Sequence, residues 1–229
     1  MGGFANNAPI VTDGLVFYVD AGNGNSYPGS GTTWNDLVGG NDGTLTNGPT
    51  FDSGNGGSIV FDGVNDYVEG TVMSNGGGAG TAQSYNIWFK VDTLDVSGSS
   101  QGIIFWDVFN GIGIYDVTGE VFIQTRGDSS IGDFTTTPTV SVNTWCNVVF
   151  NFNQGTSYEC WVNSTSFGSV ATSDTSGAPS DNLLIGAKNH NGLTQDFLNG
   201  NIAIVQAYNR ALTSDEITQN YNALKNRFV

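Results

Sequence analysis

The stretch Tyr85-Asn86-Ile87-Trp88-Phe89-Lys90-Val91 repeats its apolar positions with a period of two. Successive side chains of an extended chain point to opposite faces, so Tyr85, Ile87, Phe89 and Val91 share one face and Asn86, Trp88 and Lys90 the other. A helix would need a period near 3.6, which the stretch lacks. Short runs bounded by Gly, Asn, Asp or Ser recur on both sides of it, at residues 14–20, 58–61, 67–72, 102–106, 111–116, 120–124, 145–152, 158–163, 182–186 and 200–208. Many short strands separated by turn residues predict an all-β sandwich or barrel. No stretch reads as an interdomain linker. Residues 1–12, with Pro9 and two Asn, read as an extended N-terminal arm, and 13–229 as a single sandwich domain.

One helix is expected, at the end of the chain. Thr213-Ser214-Asp215-Glu216 fits a capping box, in which Thr213 accepts from the Glu216 amide and Glu216 reaches back. Ile217, Tyr221 and Leu224 then form one apolar stripe to lay on the sandwich. Lys225 and Arg227 complement the helix dipole at its end.

Composition narrows the function. The 229 residues include 14 Phe, 8 Tyr and 5 Trp, enough bulky filler for one core, and 33 Gly for tight turns. Only 12% are charged, and 21 acids face 6 Lys and Arg, a net charge of −15. Such a chain repels phosphate backbones and anionic membranes, so neither nucleic acid nor a membrane surface is an expected partner. No apolar run approaches the roughly 20 residues of a membrane span. Residues 1–11 carry neither a basic nor an apolar signal region, so no export signal is expected there. A signal removed earlier would leave the same record.

Cys146 and Cys160 are the chain's two cysteines. With Gln154-Gly155 as a two-residue hairpin turn, Cys146 faces Asn163 and Cys160 faces Val149. The thiols then point to opposite faces of the sheet, and no disulfide is expected. A bulge would shift this register.

Several stretches, taken in order, resemble the laminin G-like domains of the concanavalin A-like lectin/glucanase superfamily. Gly14-Leu-Val-Phe-Tyr-Val-Asp-Ala-Gly-Asn23 is similar to their opening strand. Thr33-Trp34-Asn-Asp-Leu and Gly40-Asn-Asp-Gly-Thr-Leu45 resemble the segment that follows. Phe61-Asp-Gly-Val-Asn-Asp-Tyr-Val68 resembles their strand–turn–strand. Asn143-Thr-Trp145 with Val148-Val149-Phe150, then Trp161-Val-Asn163, is similar to a later hairpin. Tyr208-Asn-Arg-Ala-Leu-Thr213 with Glu216-Ile217 resembles their last strand and helix. The resemblance implies a two-sheet antiparallel jelly roll with a short C-terminal helix. Trp34 and Trp145 read as core or corner anchors, and Asn209-Arg210 as a tie between the last strand and a neighbouring loop.

The superfamily includes glucanases, which calls for a test of catalysis. Glycoside hydrolysis needs two carboxyls about 5–9.5 Å apart. The family's retaining enzymes carry a Glu-x-Asp-x-(x)-Glu strand, whereas Glu69, Glu120, Glu159 and Glu216 stand far from one another in sequence. His190 is the single histidine, no Gly-x-Ser-x-Gly elbow surrounds a serine, and one His with two opposed Cys is a poor zinc set. No enzyme is expected. Relatives hold calcium partly through an acid in the strand before Tyr208-Asn209-Arg210, where this chain has Ala203 and Ile204. No cofactor is therefore expected, with structural calcium carried as the alternative.

Sugar binding calls for rings beside amides and carboxylates at strand ends, which nominates Trp106-Asp107, Phe109-Asn110, Asp133-Phe134 and His190-Asn191. The resemblance further implies a class common among structural proteins of tailed phages. The leading expectation is a non-catalytic virion surface protein, either capsid decoration (cement) protein or outer domain of a phage fibre. Its partners would be capsid or tail proteins, its assembly a homo-oligomer such as a trimer, and its docking element the arm. A lectin or adhesin module acting on a glycan outside the cell is the alternative, and a glycoside hydrolase the third class.

Overall fold

The stretch at Tyr85–Val91 lies in the middle of a large sheet and is buried on both faces, not one. The computed structural model describes residues 8–70, 82–94, 100–107, 110–124, 138–153, 155–171, 182–190 and 192–228. Strands follow in the order β1 (Leu15–Asp20), β2 (Thr33–Trp34), β3 (Gly43–Thr46), β4 (Thr50–Asp52), β5 (Ser58–Asp62), β6 (Tyr67–Gly70), β7 (Ala82–Val91), β8 (Ser100–Asp107) and β9 (Asn110–Tyr115). They continue with β10 (Val121–Gln124), β11 (Trp145–Asn153), β12 (Ser157–Val162), β13 (Thr165–Ala171), β14 (Leu183–Ile185), β15 (Lys188–His190), β16 (Leu193–Gln195) and β17 (Asn199–Tyr208), and helix α1 (Ser214–Leu224) follows.

Two antiparallel sheets form the jelly-roll sandwich that the sequence predicts. One runs β13-β12-β11-β7-β17-β5-β4, with β1 also paired to β17. The other runs β10-β9-β8-β14-β6-β3-β2. Their facing sides make one core, to which β7 gives Tyr85, Ile87, Phe89 and Val91, and β8 and β9 give Ile104, Trp106, Ile112 and Ile114. Tyr85 of one sheet stacks on Trp106 of the other with centroids 4.0 Å apart. Each such aromatic pair adds roughly 0.5–1.5 kcal/mol beyond the area it buries.

The outer face of the first sheet is roofed by α1. Trp88, Trp145 and Ile204 pack against Leu224 and Phe228, and Val149 and Tyr208 against Leu212 and Ile217. Polar groups under this roof pair with one another, as burial demands. Asn147 donates to Asn86 (2.6 Å), and Asn86 donates to Gln206 (2.7 Å), across three strands. The arm's described part lies here too. Val11 donates its amide to Asn220 (2.7 Å), Gln219 donates to the Pro9 carbonyl (2.7 Å), and the Tyr208 hydroxyl donates to the Val11 carbonyl (3.0 Å). The helix is capped as expected, and Arg210 clasps Glu216 with two nitrogens (2.8 and 2.6 Å) and Asp13 with a third (2.9 Å). No described helix is long and apolar enough to cross a membrane.

The hairpin register differs from expectation. Asn153 pairs with Ser157 and Phe150 with Cys160, so the turn holds three residues, not two. That one-residue slip reverses a side chain's face. Both cysteines consequently point into the same core and are free. Four register positions separate them, roughly 13 Å along the strands, against the ~7 Å Cα limit for a disulfide. The short strands β2 to β4, the edge strand β13 and the β15–β16 hairpin carry no period-two signal, and the sequence did not predict them.

Candidate functional site

Hairpin β15–β16 folds back over the outer face of the second sheet. It can lie that close because β8 has Gly102 there: a Cβ on Gly102 would sit 2.3 Å from the Ala187 carbonyl carbon. Phe105, Phe122 and Leu184 cluster there with Tyr67, and Lys188 of the hairpin stands over the Phe122 ring at 5.5 Å. The chain leaves the hairpin through Asp196, whose φ of +55° is a left-handed turn that Asp tolerates.

That turn completes a pocket of about 250 Å³ lined by Thr93, Ser100, Gln101, Asp116, Asp196, Phe197 and Asn199, with Gly63 at its rim. It sits where β7 and β9 end and where β8 and β17 begin. Gln101, nearly buried, organises it. Its amide nitrogen donates to Asp116 (2.7 Å) and to the Thr93 carbonyl (2.9 Å), and its oxygen accepts from the Asn199 amide (2.8 Å). Ser100 donates to Asp196 (3.0 Å), which also pairs with Lys188 (3.6 Å) and accepts at its carbonyl from the Gly102 amide (2.7 Å). Phe197 supplies the one ring among the described lining residues and packs against Tyr67 at 6.4 Å. The pocket thus offers carboxylate, amide and hydroxyl groups fixed on strand ends beside an aromatic ring. Preorganised acceptors of this kind suit a hydroxyl-rich ligand.

The nominated residues that the structure describes fall elsewhere. Trp106 is corrected from a candidate platform to a core residue: 4% exposed, it stacks on Tyr85 and faces Phe150. Asp107 ends β8 and pairs with Asn110, which is buried, at the opposite end of these strands from the pocket. His190 lies on the hairpin with Nδ1 3.1 Å from the Gln195 amide nitrogen. Phe109, Asp133, Phe134 and Asn191 lie outside the described residues. The pocket residues were missed, although Asp196-Phe197 repeats the acid-beside-ring wording of Asp133-Phe134 at another strand end.

The place where the resemblance puts a calcium ligand does not fit one. Ala203 and Ile204 are fully buried in the apolar layer under α1. Among the described residues, no group of three or more His, Cys, Asp or Glu is placed to hold a metal ion.

Comparison with known proteins agrees with this architecture. The family model for the concanavalin A-like lectin/glucanases superfamily, in its laminin G form, matches residues 61–218. No curated protein matches in sequence. Among solved structures, the chain is similar to Trypanosoma rangeli sialidase in complex with sialic acid, at 14% identity and a TM-score of 0.71. That match covers 96% of this chain and 34% of the sialidase, so the chain spans about a third of that enzyme's length. It is similar to domain 4 of AbnA, an extracellular arabinanase from Geobacillus stearothermophilus, in complex with arabinotriose. There the identity is 16% and the TM-score 0.65, over 90% of this chain and 98% of that domain. The binding domain of Paraclostridial Mosquitocidal Protein 1 matches at 14% identity and a TM-score of 0.68, over 92% of this chain and 52% of that one.

Proposed function

The chain belongs to the concanavalin A-like lectin/glucanases superfamily, and from that premise we propose that it is a non-catalytic, lectin-like module that binds a glycan in the pocket where β8, β9 and β17 meet. The observation that carries this reading is the fixed polar network of Ser100, Gln101, Asp116, Asp196 and Asn199 beside the Phe197 ring. Hydroxyls of a sugar meet acceptors already held in place, so little ordering is required on binding. With a net charge of −15 and two carboxyls in the lining, the ligand is neutral. The arabinanase domain, similar in fold and in length, holds arabinotriose, a neutral sugar, which goes with this choice.

What supports binding without cleavage is the way the two lining carboxyls are held. Asp116 is buried and held by Gln101, and Asp196 is held by Ser100 and Lys188. Cleavage needs a carboxyl that delivers a proton to the glycosidic oxygen and a second across the bond. Here each already serves a scaffold contact, which speaks for a binding role. A virion-surface setting, with neighbouring subunits as partners, draws its support from the sequence resemblance and the sparsely charged composition. Pro9 and Val11 of the arm meant for docking are engaged on the chain's own helix.

A glycan array followed by calorimetry tests the proposal. Wild-type protein should bind neutral glycans, and Phe197→Ala should weaken binding at least about tenfold, or roughly 1.4 kcal/mol. No retained glycan, or binding indifferent to Phe197→Ala, would overturn it.

A further inference from the structure

The roof that α1 lays over the first sheet reaches β12 where Ile217 packs near Trp161, and beyond that contact lie the outer faces of β12 and β13. Where the chain enters the helix, at Leu212, Thr213 and Ser214, a groove of about 490 Å³ opens between this segment and the outer faces of those two strands. Trp161 and Glu159 lie in it, two positions apart on β12 and therefore on one face. Their partners across the sheet toward the edge are Ser166 and Ser169 of β13, small hydroxyl side chains that leave the ring uncovered. Trp161 is half-buried against Val149, Leu212 and Ile217, which fixes the ring. Its indole nitrogen is enclosed and has no hydrogen-bond partner among the described residues, and the ring itself lines the groove. One oxygen of Glu159 accepts from Asn151 (3.1 Å), whose own amide donates to the Leu212 carbonyl (2.8 Å). That chain of bonds fixes the carboxylate beside the ring.

We infer that this groove is a second binding site, which takes a neutral oligosaccharide by stacking a sugar ring on Trp161 and accepting its hydroxyls at Glu159. A flat apolar face next to a fixed acceptor, flanked by hydroxyls, matches a sugar ring with its equatorial hydroxyls. Sialic acid and uronic acids would bring a carboxylate against Glu159 on a molecule of net charge −15, so anionic sugars are disfavoured. The inference does not depend on the first pocket. Asn199 at the start of β17 lines that one, and Leu212, beyond the end of β17, lines this one. The length of β17 alone sets them about 30 Å apart. One short oligosaccharide cannot fill both, and a polymer engaging both would gain avidity without any new contact.

Calorimetry of the full chain, with neutral glycans selected on an array and with sialyllactose as the anionic probe, separates the two sites. Two neutral ligands per chain are expected. Trp161→Ala should reduce the stoichiometry to one and leave the Phe197-dependent site intact, and Glu159→Gln should weaken the same site at least about tenfold. Should Trp161→Ala fail to fold by circular dichroism, Trp161→Phe serves, with a smaller loss at the same site. If the first pocket is not a glycan site, Trp161-dependent binding persists alone. One ligand per chain that is indifferent to Trp161 and Glu159, or a preference for sialyllactose, overturns the inference.

Discussion

Replacing Glu216 by Gln isolates the charge at the junction of β17, the arm and the helix. Gln is accepted at this capping-box position, so the replacement keeps the cap and removes the anion that Arg210 clasps. The guanidinium's two hydrogen bonds to Glu216, more than its cap contacts with Thr213, hold its carboxyl at about 2, against an ordinary value of 4.5. By linkage a displacement of that size amounts to at most about 3 kcal/mol. The two side chains are 28% and 25% exposed, however, and solvent screens the pair, so a loss of about 1–2 kcal/mol is expected. For a domain of this length that lowers Tm by about 3–6 °C. The sign in pH follows from a depressed carboxyl. The contribution is complete above about 4.5 and disappears as pH falls through about 2. Thermal melts of both proteins at pH 7, 4 and 2.5 should therefore show a gap that narrows below pH 4.5 and falls to about a quarter of its pH 7 size at the last. A gap constant in pH, or none at pH 7, would refute the charge-clasp reasoning.

Trp106→Ala should cost about 3–5 kcal/mol of stability, read as a lower urea midpoint, because it empties a fully packed position against Tyr85. A stable variant that merely loses sugar binding would return Trp106 to the surface. Burial pushes the thiols of Cys146 and Cys160 up to about 12, so neither forms the reactive thiolate near neutral pH. A thiol reagent at pH 8 should modify no cysteine in the folded protein and both in urea; rapid labelling of the native state would place them wrongly.

Strands with an unbroken period-two pattern, β7 and β11 above all, were legible because one face of each must enter the core. What covered the other face was not. Asn86 and Trp88 read as an outward face, yet α1 buries both, and only the capping box and the Ile217 stripe hinted at a roof. The β11–β12 register turned on counting one turn residue, a distinction that Gln154-Gly155 does not encode. Trp106 looked like a platform because it precedes an acid. A register shift between Gly102 and Ile104 sets the parity of β8, and that parity sends Trp106 inward. The pocket joins Thr93, Ser100, Gln101, Asp116 and Asn199 from separate connections, and such long-range assembly leaves no local motif. Only Asp196-Phe197 carried a signal of the kind sought.

The proposed role of the pocket of Gln101, Asp116 and Asn199 is to hold a neutral glycan without cutting it. The most direct measurement is an amide NMR titration with the best array glycan, followed by chromatography of the recovered sugar. Shifts are expected at the amides of Ser100, Gln101, Asp116 and Asn199, with the sugar returned intact. Shortened sugar whose production stops in Asp116→Asn or Asp196→Asn, or a pocket whose amides stay still while the glycan binds, would contradict it.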